Sequence, residues 1–233
     1  MSSKGRDRGQ PAPASAKGGP GGTRDTSQWL IVFVKAPSPG QVKTRLVPVL
    51  SAEEAAQLYH CLVSDTLEVV TSLPHVRVAI AYAADTHFPD LSWTAYQGSM
   101  FFQHGSTLGE RLIHAFQWAF EQGAQSVIAL GSDAPDLSTK WIQSAFESLR
   151  RTEAVIGPTV DGGYHLIGLT EPHPELFTEM PWSSPQLFRR TLDQLEDVRL
   201  AVRCLAPITD LDTPEDVRSY LATGARRSRH TAR

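Results

Sequence analysis

Three groups of side chains, far apart in this sequence, have the types and spacing to do chemistry together. The first is the loop from Lys35 to Arg45, KAPSPGQVKTR. Pro37, Pro39 and Gly40 forbid regular structure, and Lys35, Lys43 and Arg45 stand beside free backbone N–H groups, a combination that holds phosphate oxygens. The second is a set of aspartates at the ends of expected strands: Asp133 in LGSDAPDLS, and Asp210 with Asp212 in TDLDTPEDV. Residues two apart in extended chain face the same side, so Asp210 and Asp212 can point at one cation. A hard divalent ion, Mg2+ or Mn2+, is held by one or two carboxylates, by waters and by substrate phosphate oxygens, which suits this set. The third is the turn Asp161-Gly162-Gly163-Tyr164-His165. Its glycines let a ligand approach the backbone closely, and its Tyr and His offer hydrogen bonds or stacking.

Each group also has an ordinary structural reading. Lys35 can cap a strand and lay its stem along the core. Lys43 and Arg45 can be solvated loop charges. Asp133 and Asp136 lie in a proline-containing turn, where Asp bonds locally. Asp212-Thr213-Pro214-Glu215 has the order of an N-cap, a first-turn proline and a capping-box Glu. The loop is not a P-loop, because the Gly that should stand five residues before a Gly-Lys pair is absent, and no G-x-G-x-x-G occurs. No Ser-His-Asp or Cys-His arrangement is legible, and the remaining histidines read as surface or core fillers.

The elements that must position these groups alternate. An apolar run from Leu30 to Val34 reads as a strand buried on both faces that stops at Lys35. Ser51 with Glu54 forms a capping box that opens a helix to about Ser72, and Pro74 ends it before a strand from Val76 to Tyr82. Residues 84–105 read as loops with a short strand near Met100 to Gln103. Thr107 with Glu110 opens a helix that stops at Gly123. A strand at Ser126 to Leu130 follows, then a helix capped by Ser138 or Thr139 that runs to about Arg150. Strands at Ala154 to Pro158 and Tyr164 to Leu169 bracket the Asp-Gly-Gly turn as a hairpin-like connection. A helix near Ser184 to Leu195, a strand near Val198 to Leu205 and a helix from Pro214 to Thr223 complete the chain. This alternation predicts an α/β domain with a mostly parallel sheet, helices on both faces and a ligand crevice at the carboxyl ends of the strands.

With 233 residues, 41% of them apolar, the chain suits one such domain over residues 29–224. A formal net charge of -3 gives no overall field to recruit nucleic acid or anionic membrane. No apolar run approaches the ~18 residues of a bilayer span. Cys61 and Cys204 read as small buried hydrophobes, which disfavours a disulfide framework or zinc site and makes a reducing cytoplasm the expected compartment. The first 28 residues, rich in Gly, Pro, Ser and basic residues, are expected to be disordered, and they lack the apolar stretch of a secretory signal. The basic end from Ala225 to Arg233 is expected to be a loose tail.

As a set, VKAPSPGQVKTRL, TLGERL, LGSDAPDL, GPTVDGGYHLIGL, PWSS and TDLDTPEDV resemble a bacterial family of GT-A-type transferases of unknown function. Its members are labelled glycosyltransferase-like and linked to arsenosugar biosynthesis. The resemblance spans Leu30 to Leu221 and implies a GT-A fold, a nucleotide-diphosphate-sugar site and a divalent cation, Mg2+ or Mn2+. Carried onto this chain, Lys35, Ala36, Pro37, Gly40, Lys43, Thr44 and Arg45 surround the nucleotide and its phosphates. Asp133, Asp210 and Asp212 hold the metal. Asp161, Gly162, Gly163 and Tyr164, with Glu110 of TLGERL, shape the pocket for sugar or small-molecule acceptor. The catalytic roles fall to Asp133, Asp161 and Lys43. Two positions depart from the family pattern: Ala134 stands where Ser is expected, and His165 where Tyr is commoner.

The same fold serves nucleotidyltransferases, and the Lys-Thr-Arg loop is similar to that of phospholactate guanylyltransferases, which would take an NTP. Both reactions need metal and cations to neutralise a diphosphate. A neutral hydroxyl acceptor benefits from a carboxylate base, for which Asp161 is available, whereas a phosphorylated acceptor needs additional cations. The folded part has Lys35, Lys43 and Lys140 as its lysines, with Arg45 and Arg111 as helpers, which favours sugar transfer over nucleotidyl transfer and over a non-catalytic nucleotide-binding domain.

Overall fold

The computed structural model describes residues 27–83, 94 and 96–222. The expectations for the basic tail, for the head before Ser27 and for the loop at 84–93 lie outside the described residues. In chain order the strands are β1 Gln28–Lys35, β2 Val76–Ala83, β3 Ser99–Phe102, β4 Ser126–Leu130, β5 Ala154–Pro158, β6 Tyr164–Leu169 and β7 Val202–Cys204. The helices are α1 Ala52–Thr71, α2 Leu108–Glu121, α3 Thr139–Ser148, α4 Leu187–Asp197 and α5 Pro214–Ala222, with 3-10 turns at Thr44–Leu46 and Pro174–Phe177. Both capping boxes form: Ser51 and Thr107 each accept from the backbone N–H three residues on, and Glu54 and Glu110 reach back.

One mixed sheet contains every strand, in the order β3-β2-β1-β4-β6-β5-β7. All run parallel except β6, which pairs antiparallel with both β4 and β5. The reason is chain length. Only residues 159–163 join β5 to β6, far short of the dozen or more a parallel crossover needs. The parallel strands therefore end at the edge where β6 begins, and that edge collects the loops after β1, β4, β5 and β7 together with the first residues of β6. The chain passes from β1 outward to β2 and β3, then returns to β4 on the other side. In an open sheet of this kind such a reversal is where a ligand crevice is expected, here between the ends of β1 and β4.

The period of two along β1 divides the core. Leu30, Val32 and Val34 join the cluster built with Tyr59, Val63 and Leu67 of α1 and Ile142 and Phe146 of α3. Trp29 and Ile31 join the one built with Leu112, Phe116 and Ala119 of α2 and Leu195 of α4. A strand covered on both faces must be apolar throughout, as this one is.

Several expectations need correcting. Gln28 opens β1 rather than ending a tail. The strand expected from Val198 to Leu205 shrinks to Val202–Cys204, because the chain turns through Arg199 at a φ of 60° after α4 ends. The cysteines are not core hydrophobes: Cys61 is half-buried and Cys204 is exposed on β7, an edge strand paired with β5 alone, and both thiols are free. Among the described residues no helix is long and apolar enough to cross a membrane.

Candidate functional site

The loop after β1 folds tightly, with the Ser38 N–H donating to the Ala36 carbonyl and the Gln41 N–H to that of Ser38. Gly40 adopts a φ of 74°, and no other atom crowds the place of its missing side chain, so it is needed for conformation alone. Lys43 then takes a left-handed conformation, φ 50° and ψ 36°, which is uncommon for a lysine and is held by what its side chain does. The buried ammonium donates to Asp133 Oδ2 at 2.8 Å and lies 3.5 Å from Asp212 Oδ1. Arg45, in the 3-10 turn that follows, reaches Asp212 Oδ2 at 3.0 Å. Residues some 90 and 167 positions apart are thereby joined. Lys35 ends β1 exposed, and Ala36, Pro37 and Thr44 line the same loop.

Asp133 follows β4 across the crevice. Its backbone carbonyl accepts from the Leu211 N–H at 3.2 Å, which pins the TDLD segment to this loop. Leu211 is buried, so Asp210 and Asp212 flank it on the side of Asp133 as an extended segment requires. The helix that follows starts differently from the sequence reading. Thr213, not Asp212, caps α5: its hydroxyl accepts from the Asp216 N–H at 3.3 Å, and Asp216 Oδ2 accepts from the Thr213 N–H at 2.7 Å. Glu215 instead pairs with Arg218. Asp212 is thus released from capping and holds Lys43 and Arg45.

His165 enters from β6. It is buried, and its Nδ1 lies 3.4 Å from Asp133 Oδ1, the oxygen that Lys43 does not use. Its ligand nitrogen and carboxylate oxygens of Asp133 and Asp210 all lie within 4.8 Å of one another. Two oxygens and one nitrogen that close are the makings of a divalent-cation site.

The Asp161 turn completes the wall. Asp161 Oδ1 accepts from the Thr159 hydroxyl at 2.5 Å and from the Gly163 N–H at 3.1 Å, and the turn is buttressed from behind. A Cβ on Gly162, whose φ is 90°, would stand 2.2 Å from the Pro185 carbonyl oxygen, so the PWSSP segment packs where only glycine fits. Tyr164 takes another course. Its ring packs against the α2–α4 core cluster with Trp182 and Phe188, and its hydroxyl is buried. Glu110 directs its carboxylate to Ser106 and Thr107 at the start of α2.

The electrostatics follow from this crowding. Burial works against the Lys43 charge, yet Asp133, Asp212 and Asp210 hold the ammonium above the ordinary lysine value. Burial would raise the Asp133 carboxyl, but Lys43 and His165 outweigh it and hold it below the usual carboxylate range. Burial depresses the His165 imidazole against the pull of Asp133. Asp210 bears the cost: desolvated and facing Asp133 and Asp161, it is pushed up to about 7.

Two positioning groups escape a sequence reading. The Lys35 N–H donates to the Tyr59 hydroxyl at 3.0 Å, Tyr59 lies 3.1 Å from Ser132 Oγ, and the Ser132 hydroxyl donates to the Phe33 carbonyl at 2.9 Å. Because Ser132 gives its one proton to Phe33, Tyr59 must donate to Ser132. Burial pushes the phenol up to about 12, so that proton stays in place. The closed circuit staples the end of β1 to the residue before Asp133. The visible trace of this was Tyr59 itself, a hydroxyl on the buried face of α1, and Ser132 next to Asp133.

A family model described as "Uncharacterized protein conserved in bacteria (DUF2064)" matches residues 66–184. Among solved structures, a candidate nucleotide-diphospho-sugar transferase from Desulfovibrio desulfuricans G20 is 35% identical, covering 89% of this chain and 93% of its own, with a TM-score of 0.81. The 4-diphosphocytidyl-2C-methyl-D-erythritol synthase of Anaerococcus prevotii DSM 20548 shares the fold at 13% identity and a TM-score of 0.55, covering 86% of this chain and all of its own. Rv0371c of Mycobacterium tuberculosis H37Rv, solved in complex with manganese, shares it at 15% identity and a TM-score of 0.52, covering 84% of this chain and 99% of its own. No curated protein matches the sequence.

Proposed function

We propose, given that this chain belongs to the bacterial family described as an uncharacterized protein conserved in bacteria (DUF2064), that it is a transferase using a nucleotide-diphosphate sugar as donor and a small molecule as acceptor. One observation carries the reading. Lys43 and Arg45 from the loop after β1 meet Asp133 and Asp212 from two other loops at the carboxyl ends of the strands, beside the Asp133–His165–Asp210 cluster. Cations and acids brought together there suit a diphosphate accompanied by a divalent ion.

The donor set fits such an ion, with Asp133 and Asp210 as the carboxylates that would hold it and Asp212 shared between Lys43 and Arg45. When bound, a divalent cation neutralises the negative charge that gathers on a departing nucleoside diphosphate. The chain's own residues do the rest. The 36–42 loop wraps the nucleotide, and Lys43 and Arg45 orient its diphosphate and share its charge. Asp161 is fixed through Oδ1, and its other oxygen has no hydrogen bond among the described residues, which leaves it to take the acceptor's hydroxyl proton. The acceptor oxygen bonds the anomeric carbon while the carbon–oxygen bond to the diphosphate breaks, its electron pair leaving with the nucleotide.

Sugar transfer is favoured over nucleotidyl transfer by the state of the cations. Lys43 and Arg45 are committed to Asp133, Asp212 and the donor's diphosphate, which leaves Lys35 as the further cation of this loop for a second anionic substrate. The test begins with UDP-, GDP-, ADP- and CMP-linked sugars, with and without Mn2+, in a thermal-shift screen, since binding to the native state raises its apparent stability. Donors that bind are then followed for nucleoside diphosphate release. Release of pyrophosphate from an NTP with a phosphorylated acceptor, and no turnover of any nucleotide sugar, would overturn this reading in favour of nucleotidyl transfer.

A further inference from the structure

We propose that the His165 imidazole is itself a ligand of the divalent cation and sets the site's preference toward nitrogen-tolerant first-row ions, Mn2+ and Co2+, over Mg2+. The proposal rests on the preceding reading that this cluster holds a cation, and adds which ion and a nitrogen ligand, His165 Nδ1.

Three observations converge on the ring. First, it is held in place. The His165 carbonyl accepts from the Gly131 N–H at 2.8 Å, and a Cβ on Gly131 would stand 2.7 Å from the ring's Cε1 and 2.8 Å from Nδ1. The backbone before Asp133 is therefore cut away where the imidazole lies, and any side chain at 131 would displace the ring. Second, the ring is buried and under-used. Nδ1 faces Asp133 Oδ1 at 3.4 Å, longer than a good hydrogen bond, and Nε2 is buried without a hydrogen-bond partner. An imidazole nitrogen and a carboxylate oxygen 3.4 Å apart are spaced so that both can ligate one cation, which makes Nδ1 the ligand atom. Third, the two oxygens of Asp133 are divided. Lys43 takes Oδ2, which leaves Oδ1 beside the imidazole and Asp210.

Chemistry then discriminates among ions. Mg2+ prefers an all-oxygen octahedron and keeps its waters, so an imidazole gains it little. Affinity for nitrogen donors rises from Mn2+ toward Co2+ and Ni2+. A site with one nitrogen among carboxylates therefore favours the transition ions, whereas Asp133 and Asp210 alone would favour none strongly.

The experiment uses tag-free, full-length protein and the metal alone. Isothermal titration with Mg2+, Mn2+ and Co2+ is run on the wild type, His165→Gln, His165→Phe and Asp133→Asn, and electron spin-echo modulation is recorded on the Mn2+-loaded wild type. The wild type is expected to bind Mn2+ and Co2+ about tenfold or more tightly than Mg2+, a span typical of losing a group that supports a metal. The His165 variants should lose most of that preference while keeping Mg2+ binding, and the echo should carry a coupled imidazole nitrogen. An unmodulated echo, or His165 variants that retain the full Mn2+ and Co2+ affinity while Asp133→Asn loses it, overturns the ligand role of His165 and leaves the carboxylate site standing. A wild type that binds none of the ions overturns the metal reading as well. The echo needs no variant, so a misfolded substitution does not blunt the test.

Discussion

Replacing Asp210 by Asn should stabilise the metal-free protein at alkaline pH and abolish most of its response to metal. Asp210 is pushed from its ordinary 3.8 up to about 7 by desolvation and by Asp133 and Asp161. Each unit corresponds to about 1.36 kcal/mol, so the full displacement of about three units has a ceiling of roughly 4 kcal/mol. The carboxyl is part exposed and its neighbours relax, and screening brings the measurable effect to about 1–2 kcal/mol. The sign follows from linkage. A carboxyl whose folded value is raised contributes stability that is fully present below about pH 4 and is lost as pH climbs through about 7. Asn mimics the protonated form at every pH. Wild type and Asp210→Asn should therefore differ least at about pH 4 in EDTA, and the variant should pull ahead as pH rises to 8, by roughly 3–6 °C for a chain of this size. Comparing the two proteins cancels most contributions from groups they share. Saturating Mn2+ at pH 8 should then raise the melting temperature of the wild type far more than that of the variant. A metal-free variant that melts below the wild type at pH 8, or a difference that does not change with pH, would refute the claim that this carboxyl is held at an energetic cost for a cation.

Asp133→Ala should abolish turnover while circular dichroism shows an intact fold, because the loop keeps its backbone bond to Leu211; near-normal turnover would remove the metal arm of the mechanism. Tyr59→Phe removes the donor to Ser132 and the acceptor for Lys35 inside a buried circuit, and urea unfolding should show a loss of about 1–3 kcal/mol. Thr213→Val deletes the hydroxyl that caps α5 and should lower stability by about 1 kcal/mol, with a melting temperature down by roughly 2–4 °C.

Much of the frame was legible because it rests on local rules. An uninterrupted apolar run that must be covered on both faces gave β1, and reciprocal Ser/Glu and Thr/Glu caps placed the starts of α1 and α2 to within a residue. The cations of the 35–45 loop and the aspartates at 133, 161, 210 and 212 stood out as charges at strand ends. What stayed hidden depends on strand order, which periodicity does not encode. His165 meets Gly131 and Asp133 only because β6 runs antiparallel between β4 and β5, and Tyr59 meets Ser132 only because α1 covers that face.

Asp212 is the case where the sequence offered two answers and long-range charge decided between them. D-T-P-E reads as the start of a helix with Asp212 as its cap, and the structure starts that helix one residue on, at T-P-E-D. With Thr213 as the cap, Pro214 falls at the first helical position, where its missing N–H is no loss, and Asp216 arrives where a capping acid belongs. Asp212 is left with a stronger use, because two contacts with full cations, Lys43 and Arg45, outweigh one cap bond to a backbone N–H. The two choices reinforce each other. A cap that did not need Asp212 lets the carboxylate tie the β1 loop to the β7 loop, and that tie holds the buried Lys43 ammonium against Asp133. Deleting the cap by Thr213→Val should therefore leave the ion pairs in place and change melting alone, while Asp212→Asn, with the cap intact, should weaken nucleotide binding with little change in melting. The opposite pattern would return Asp212 to a purely structural role.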